Sequence, residues 1–144
     1  ITEKNISKLI NLSENHELSE FVDSCLAKNV KKTTRILNEN NFNNDDCIAI
    51  TRIFLNKSKK ILNLSKEFKK NNNIDLTISS AKPPIFWKDK ELVKEQICNW
   101  SPEKIKKLIY ELTEVEFLIK KNLNNSIKLI TDFALEQTSR KTNN

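Results

Sequence analysis

A chain of 144 residues suits one domain with at most the edge of a neighbour, and no apolar run reaches the roughly 18 residues that a membrane-spanning helix needs. The net charge of +6 invites a nucleic-acid partner, yet the basic residues are almost all lysine, and arginine, the side chain that best forks onto phosphate and guanine, occurs only at 35, 52 and 140. Glycine is absent, which excludes every glycine-based phosphate loop and leaves asparagine to form left-handed helix caps.

The predicted elements are all helical. Thr2 caps a short helix through Leu12, with Ile6, Leu9 and Ile10 on one face, and Ser13 to His16 forms a polar connection. From Glu17, the residues Leu18, Phe21, Val22, Cys25 and Leu26 follow the 3-4 spacing of an amphipathic helix. Lys28-Asn29 breaks it, and Val30 to Asn40 forms a second helix with Val30, Thr34 and Leu37 on one face. Asn44-Asp45-Asp46 supplies a cap and an acidic first turn to a long helix reaching Lys70. Its stripe is Ile50, Phe54, Ile61, Leu64 and Phe68, widened by Ile53. Ile74 to Ser80 alternates as a strand would, but no partner strand exists, so it reads as a short helix.

Ala81 to Pro84 is extended, because a residue before proline avoids helical angles. Phe86 and Trp87 follow, and each ring can bury roughly 150–250 Å². Such a pair more often anchors a loop to the core than faces a partner, and that is the expectation here. Lys88 to Asn99 forms a helix with Val93, Ile97 and Trp100 inward. Ser101 caps the next helix and Pro102 takes its first position, where a missing N–H costs nothing. Ile105, Leu108, Ile109, Leu112, Val115 and Ile119 make a continuous stripe. A last helix spans Ser126 to Thr138 with Ile127, Ile130, Phe133 and Ala134 inward, and Ser139 to Asn144 frays.

Catalytic and metal chemistry finds no foothold. Cys25, Cys47 and Cys98 are far apart, each among helical apolar positions, and read as small buried hydrophobes of a reducing cytosol. His16 is the single histidine, so no zinc set forms. Ser24 and Ser79-Ser80 have no histidine beside them in sequence. Glu114 and Glu116 lie two apart and do not share a helix face, while Glu116 and Lys120 form a favourable i,i+4 pair. The lysines are spread among glutamates as a solvated surface, in a composition rich in Asn and Ile that an AT-rich genome favours.

The segments Phe21 to Asn29, Arg35 to Glu39, Lys82 to Lys88, and Ile97 to Lys120 stand in an order and spacing that resembles the C-terminal domain of the bacterial DNA polymerase III delta subunit. The most specific parts are Pro83-Pro84-Ile85-Phe86-Trp87-Lys88, Trp100-Ser101, and Glu116 to Lys120, and the likeness covers Leu18 to Leu135. That family commonly has glycine near Lys28-Asn29 and after Lys120, a departure that bears on the turns and not on the helices.

The resemblance implies an all-α, compact bundle of six to eight helices, of the clamp-loader collar type, over residues 13–144. Residues 1–12 would be the tail of a preceding lid domain, and the chain a piece cut from a longer polypeptide. It implies a non-catalytic, cytoplasmic scaffold with no cofactor, no small-molecule substrate and no membrane. Its partners would be gamma or tau and delta-prime, with the sliding clamp reached through an upstream domain and primed DNA through the whole complex. Phe117, Leu118, Leu129 and Leu135 lie off the main stripes and are candidate subunit contacts. The competing reading is a basic helical nucleic-acid-binding module.

Overall fold

A computed structural model describes residues 16–139. The expected helix before Leu12, the lid-domain tail at 1–12 and the end from Arg140 lie outside the described residues. Those residues form seven α-helices and two short 3-10 turns, with no strand among them. The helices are α1 (residues 16–26), α2 (Val30–Glu39), α3 (Asn44–Asn71), α4 (Ile74–Ser79), α5 (Lys90–Asn99), α6 (Pro102–Lys121) and α7 (Ser126–Ser139). The 3-10 turns are Trp87–Asp89 and Leu123–Asn125.

Polar side chains set the boundaries. Asn29 caps α2 by accepting the Lys32 N–H at 3.1 Å. Asn43 and Asp46 form a reciprocal capping box at α3, each bond 2.9 Å, so the cap lies one residue before the expected Asn44. Asn73 caps α4, and Ser101 caps α6 with Pro102 in its first turn. At the far end of α3, Asn72 adopts a left-handed φ of 54°, as an asparagine-rich break should. The other left-handed residue is Lys28, with φ 56°, while Asn122 stays at φ −143°. Around Lys28 the Asn29 N–H reaches the Ser24 carbonyl and the Lys28 N–H reaches Cys25, the double bond of a Schellman end.

The core is built on α3 and α6, which share an extensive contact. α6 buries Ile105, Leu108, Leu112 and Ile119. α3 alternates large and small on its buried side: Cys47, Phe54 and Ile61 recur every seven residues, and so do Thr51, Ser58 and Ser65. The small side chains lower the surface of α3 between the large ones, and that lets another helix approach closely. α1 closes one side with Leu18, Phe21, Val22, Cys25 and Leu26, and α7 contributes Ile130, Phe133 and Ala134. α4 and α5 pack on α3, and α2 lies against α7.

Trp100 joins distant parts of the chain. Its indole N–H donates to the Leu26 carbonyl at 2.8 Å, and the neighbouring Asn99 amide donates to Ala27 at 2.9 Å. Its own carbonyl accepts the Ser65 hydroxyl at 2.8 Å. Gln96, one turn earlier, donates to the Asp23 carbonyl and carboxylate, and Lys57 pairs with that carboxylate at 3.0 Å.

Four expectations are corrected. α2 turns Thr33 and Ile36 inward, with Leu37 half-buried and Thr34 and Val30 exposed. Thr33 tolerates the interior because its hydroxyl bonds the Asn29 carbonyl and the Ser24 hydroxyl, both at 2.9 Å. Ile127 of α7 is exposed. The helix expected from Lys88 starts two residues later, after the 3-10 turn, and α7 retains Ser139.

The Ser58 hydroxyl is buried with no hydrogen-bond partner among the described residues. Ser58→Ala therefore raises stability by about 1 kcal/mol, because it removes an unpaired polar group at nearly constant volume. Trp100→Phe acts the other way, lowering stability by about 1–3 kcal/mol as the Leu26 carbonyl loses its buried donor. Urea unfolding of the two variants beside the parent chain checks both signs.

Candidate interaction surface

The Pro-Pro element leaves α4 through an extended segment in which the Lys82–Pro83 bond is cis and both prolines are exposed. Ile85 is the residue that turns inward, lining a cleft of about 140 Å³ with Ile61, Leu64, Leu92 and Val93. The 3-10 turn that follows, closed by the Asp89 N–H on the Phe86 carbonyl at 2.9 Å, directs both aromatics outward. Phe86 is 57% exposed and Trp87 68%. Their ring centroids are 5.9 Å apart, and the Lys88 ammonium lies 5.5 Å from the Trp87 ring centre. The expectation that this pair anchors the loop is overturned: one aliphatic side chain does the anchoring, and the rings form a surface knob.

A second apolar patch lies along α6. Tyr110, Phe117 and Leu118 are exposed, Phe117 to 63%, and the Lys121 ammonium sits 5.4 Å from the Phe117 ring centre. Glu116 and Lys120 pair at 3.5 Å on the same turn. With Lys120 exposed and Glu116 half-buried, this surface pair is worth about 0.3–0.5 kcal/mol. The Tyr110 hydroxyl bonds Glu114, which holds its pKa above the usual phenol range.

The four candidate contacts therefore divide. Phe117 and Leu118 stand in solvent. Leu129 is half-buried and packs on the core, and Leu135 is half-buried in the wall of a groove beside α2. Trp100 and Ser101 are structural, one in the core and one at a helix cap. Pro83, Pro84, Lys88 and Lys120 are exposed, with Glu116 half-buried.

The three cysteines divide by burial. Burial pushes the Cys25 thiol up to about 12 and the Cys47 thiol up to about 11, so neither is a ready nucleophile. Cys98 is exposed, against the expectation of three buried thiols, because α5 buries Gln96 and Ile97 and carries position 98 to the outer face. Among the described residues no group of His, Cys, Asp and Glu is placed to hold a metal ion, and no helix is long and apolar enough to cross a membrane. No protein-family model matches the chain, and no curated protein or solved structure does so significantly.

Burial orders the thiols by access. A water-soluble aromatic disulfide titrates Cys98 rapidly in the native chain, and it reaches Cys25 and Cys47 only after denaturant is added. Rapid labelling of all three under native conditions would refute the buried placement.

Proposed function

We propose that this chain is the helical collar region of a clamp-loader delta subunit, a cytoplasmic scaffold that makes and breaks no bonds itself. It assembles with gamma or tau and delta-prime subunits, and residues 1–12 are the tail of a preceding lid domain. The observation that carries this reading is the motif series: Pro83 to Lys88, Trp100-Ser101 and Glu116 to Lys120, in that order and spacing. An all-helical bundle that leaves Phe117 and Leu118 in water suits a subunit whose neighbours supply the missing cover. The work of such a subunit is mechanical. A fixed frame of packed helices holds its neighbours while domains attached upstream move as ATP is turned over by other subunits.

The test is assembly. The chain extended to its natural start, mixed with gamma and delta-prime subunits, gives a complex whose mass is read by light scattering. Phe117→Asp and Leu118→Asp weaken that complex by at least about tenfold, equivalent to about 1.4 kcal/mol each, with the helical circular dichroism of the free chain unchanged. Assembly indifferent to both changes withdraws these two side chains from the interface, and no assembly at all withdraws the reading.

A second reading, a contact with single-stranded nucleic acid, rests on the outward Phe86 and Trp87 with exposed Lys82, Lys88 and Lys90 around them. Flat aromatic faces beside ammonium groups are the elements on which unpaired bases stack. If this reading holds, oligothymidylate quenches the exposed Trp87 with an affinity that falls steeply with salt, and Trp87→Ala lowers that affinity by about 1–3 kcal/mol. Affinity unaltered in the Trp87 variant assigns any binding to the general positive charge.

A further inference from the structure

An open groove runs between α2 and α7, and three positions that the sequence pattern marks as inward, Val30, Thr34 and Ile127, are exposed along it. Thr34, Leu37, Ile127 and Leu135 form its walls, and Phe21 and Ile50 belong to its apolar floor. Its volume is about 410 Å³, in the range of binding clefts. Val30 continues the wall, four residues before Thr34 on the same face of α2, and is 46% exposed, with Ile127 at 43%. A stripe of apolar residues at helical spacing is the signature of a face that packs. Here that stripe exists on both helices and is only partly covered: Ile130 is buried and Leu37 half-buried, while Val30, Thr34 and Ile127 stay exposed.

The surroundings specify what fits. Two smaller depressions adjoin the groove through Asn40, and their side chains include Glu17, Glu20, Glu39 and Asp46 against a single cation, Arg35. Lys32 offsets part of this by pairing with Glu20 at 3.3 Å. In a chain of net charge +6, the charged side chains lining these two depressions are mostly acidic, while Lys31 and Lys128 are exposed elsewhere on α2 and α7. The groove wall itself adds only neutral polar groups, Asn38, Asn40, Asn41 and Thr131 among them.

We propose that this groove docks an amphipathic helix of another protein, one whose apolar stripe is flanked by lysines or arginines. A third helix laid between α2 and α7 buries the Val30 and Ile127 edges, and its basic flanks meet the carboxylates beside Asn40. The pairing is helix-in-groove recognition, with anchors at i, i+3 or i+4 and i+7. Charge sets the choice of partner and the apolar contact supplies the affinity.

Fluorescence polarisation with two labelled helical peptides tests it. Both carry the same Leu and Phe stripe, one flanked by lysines and one by glutamates. The lysine peptide binds at least about tenfold more tightly at low salt, and raising salt well past a Debye length of about 10 Å narrows the difference. Ile127→Arg and Thr34→Arg, both at exposed positions, each weaken the lysine peptide at least about tenfold without moving the unfolding midpoint. Equal affinity for the two peptides overturns the proposal, as does binding indifferent to both substitutions. Self-association in sedimentation that Ile127→Arg abolishes also overturns it, since a second copy would then be the occupant. The peptide experiment reads the groove alone and is independent of clamp-loader assembly.

Discussion

The fold depends on the joint between the end of α1 and the end of α5. A helix terminus leaves its final carbonyls without intrahelical donors, and a buried terminus must find them elsewhere. α1 ends inside the protein, where Leu26 is fully buried. Trp100 and Asn99 supply the donors to Leu26 and Ala27 from more than seventy residues away. Their positions are in turn fixed by Ser65, whose hydroxyl holds the Trp100 carbonyl. Three helices that are distant in sequence therefore meet at one tryptophan, through its indole N–H and its backbone carbonyl. The same ring covers the turn that follows α1. Lys28 adopts a left-handed conformation that costs a non-glycine residue about 1 kcal/mol, and its ammonium lies 4.6 Å from the Trp100 ring centre. A cation–π contact of about 0.5–2 kcal/mol offsets that cost. This is how a chain without glycine closes a Schellman turn on lysine.

That joint also explains why α6 is oriented so firmly. Trp100 is immediately followed by Ser101 and Pro102, a cap and a first-turn proline that start α6 with little freedom. The direction of α6 is thereby tied to the end of α1 and to the middle of α3. The extensive α3–α6 contact follows, because α3 presents small residues every seventh position where a neighbour can approach. Ser58 is the residue where this arrangement is least satisfied, since its hydroxyl has neither the carbonyl partner that Thr51 finds in Cys47 nor the one Ser65 finds in Trp100.

Legibility in the sequence followed the strength of local chemistry. Ser101-Pro102 and the α6 stripe were readable because a cap, a proline and regular apolar spacing all agree there. The short helix Ile74–Ser79 was recoverable only by elimination, since alternation alone favoured a strand. α2 was misassigned by its hydrophobic pattern because its buried face is part polar. Thr33 enters the core by bonding Ser24 and Asn29, a satisfaction that no periodicity reveals. The polar half of the α3 stripe was missed for the same reason. Phe86 and Trp87 were assigned inward on size, but their placement is decided by the geometry of the turn after Ile85, and turn geometry is not written in side-chain volume.

Five of these departures share a physical direction. Val30, Thr34, Ile127, Phe86 and Trp87 were all expected to be buried, and all are exposed in the isolated chain. Exposed apolar residues scattered singly need no explanation. These are not scattered: two are adjacent on one knob, and the others follow the helical faces beside one groove. The core beneath them is complete without them, as the burial of Phe21, Ile50, Phe54 and Ile105 shows. A pattern that looks like core but is spare to the core is what a subunit carries when part of its hydrophobic interior is assembled with other chains. The discrepancy between pattern and burial falls on two separate parts of the bundle, the surfaces on which the contacts proposed above would be made.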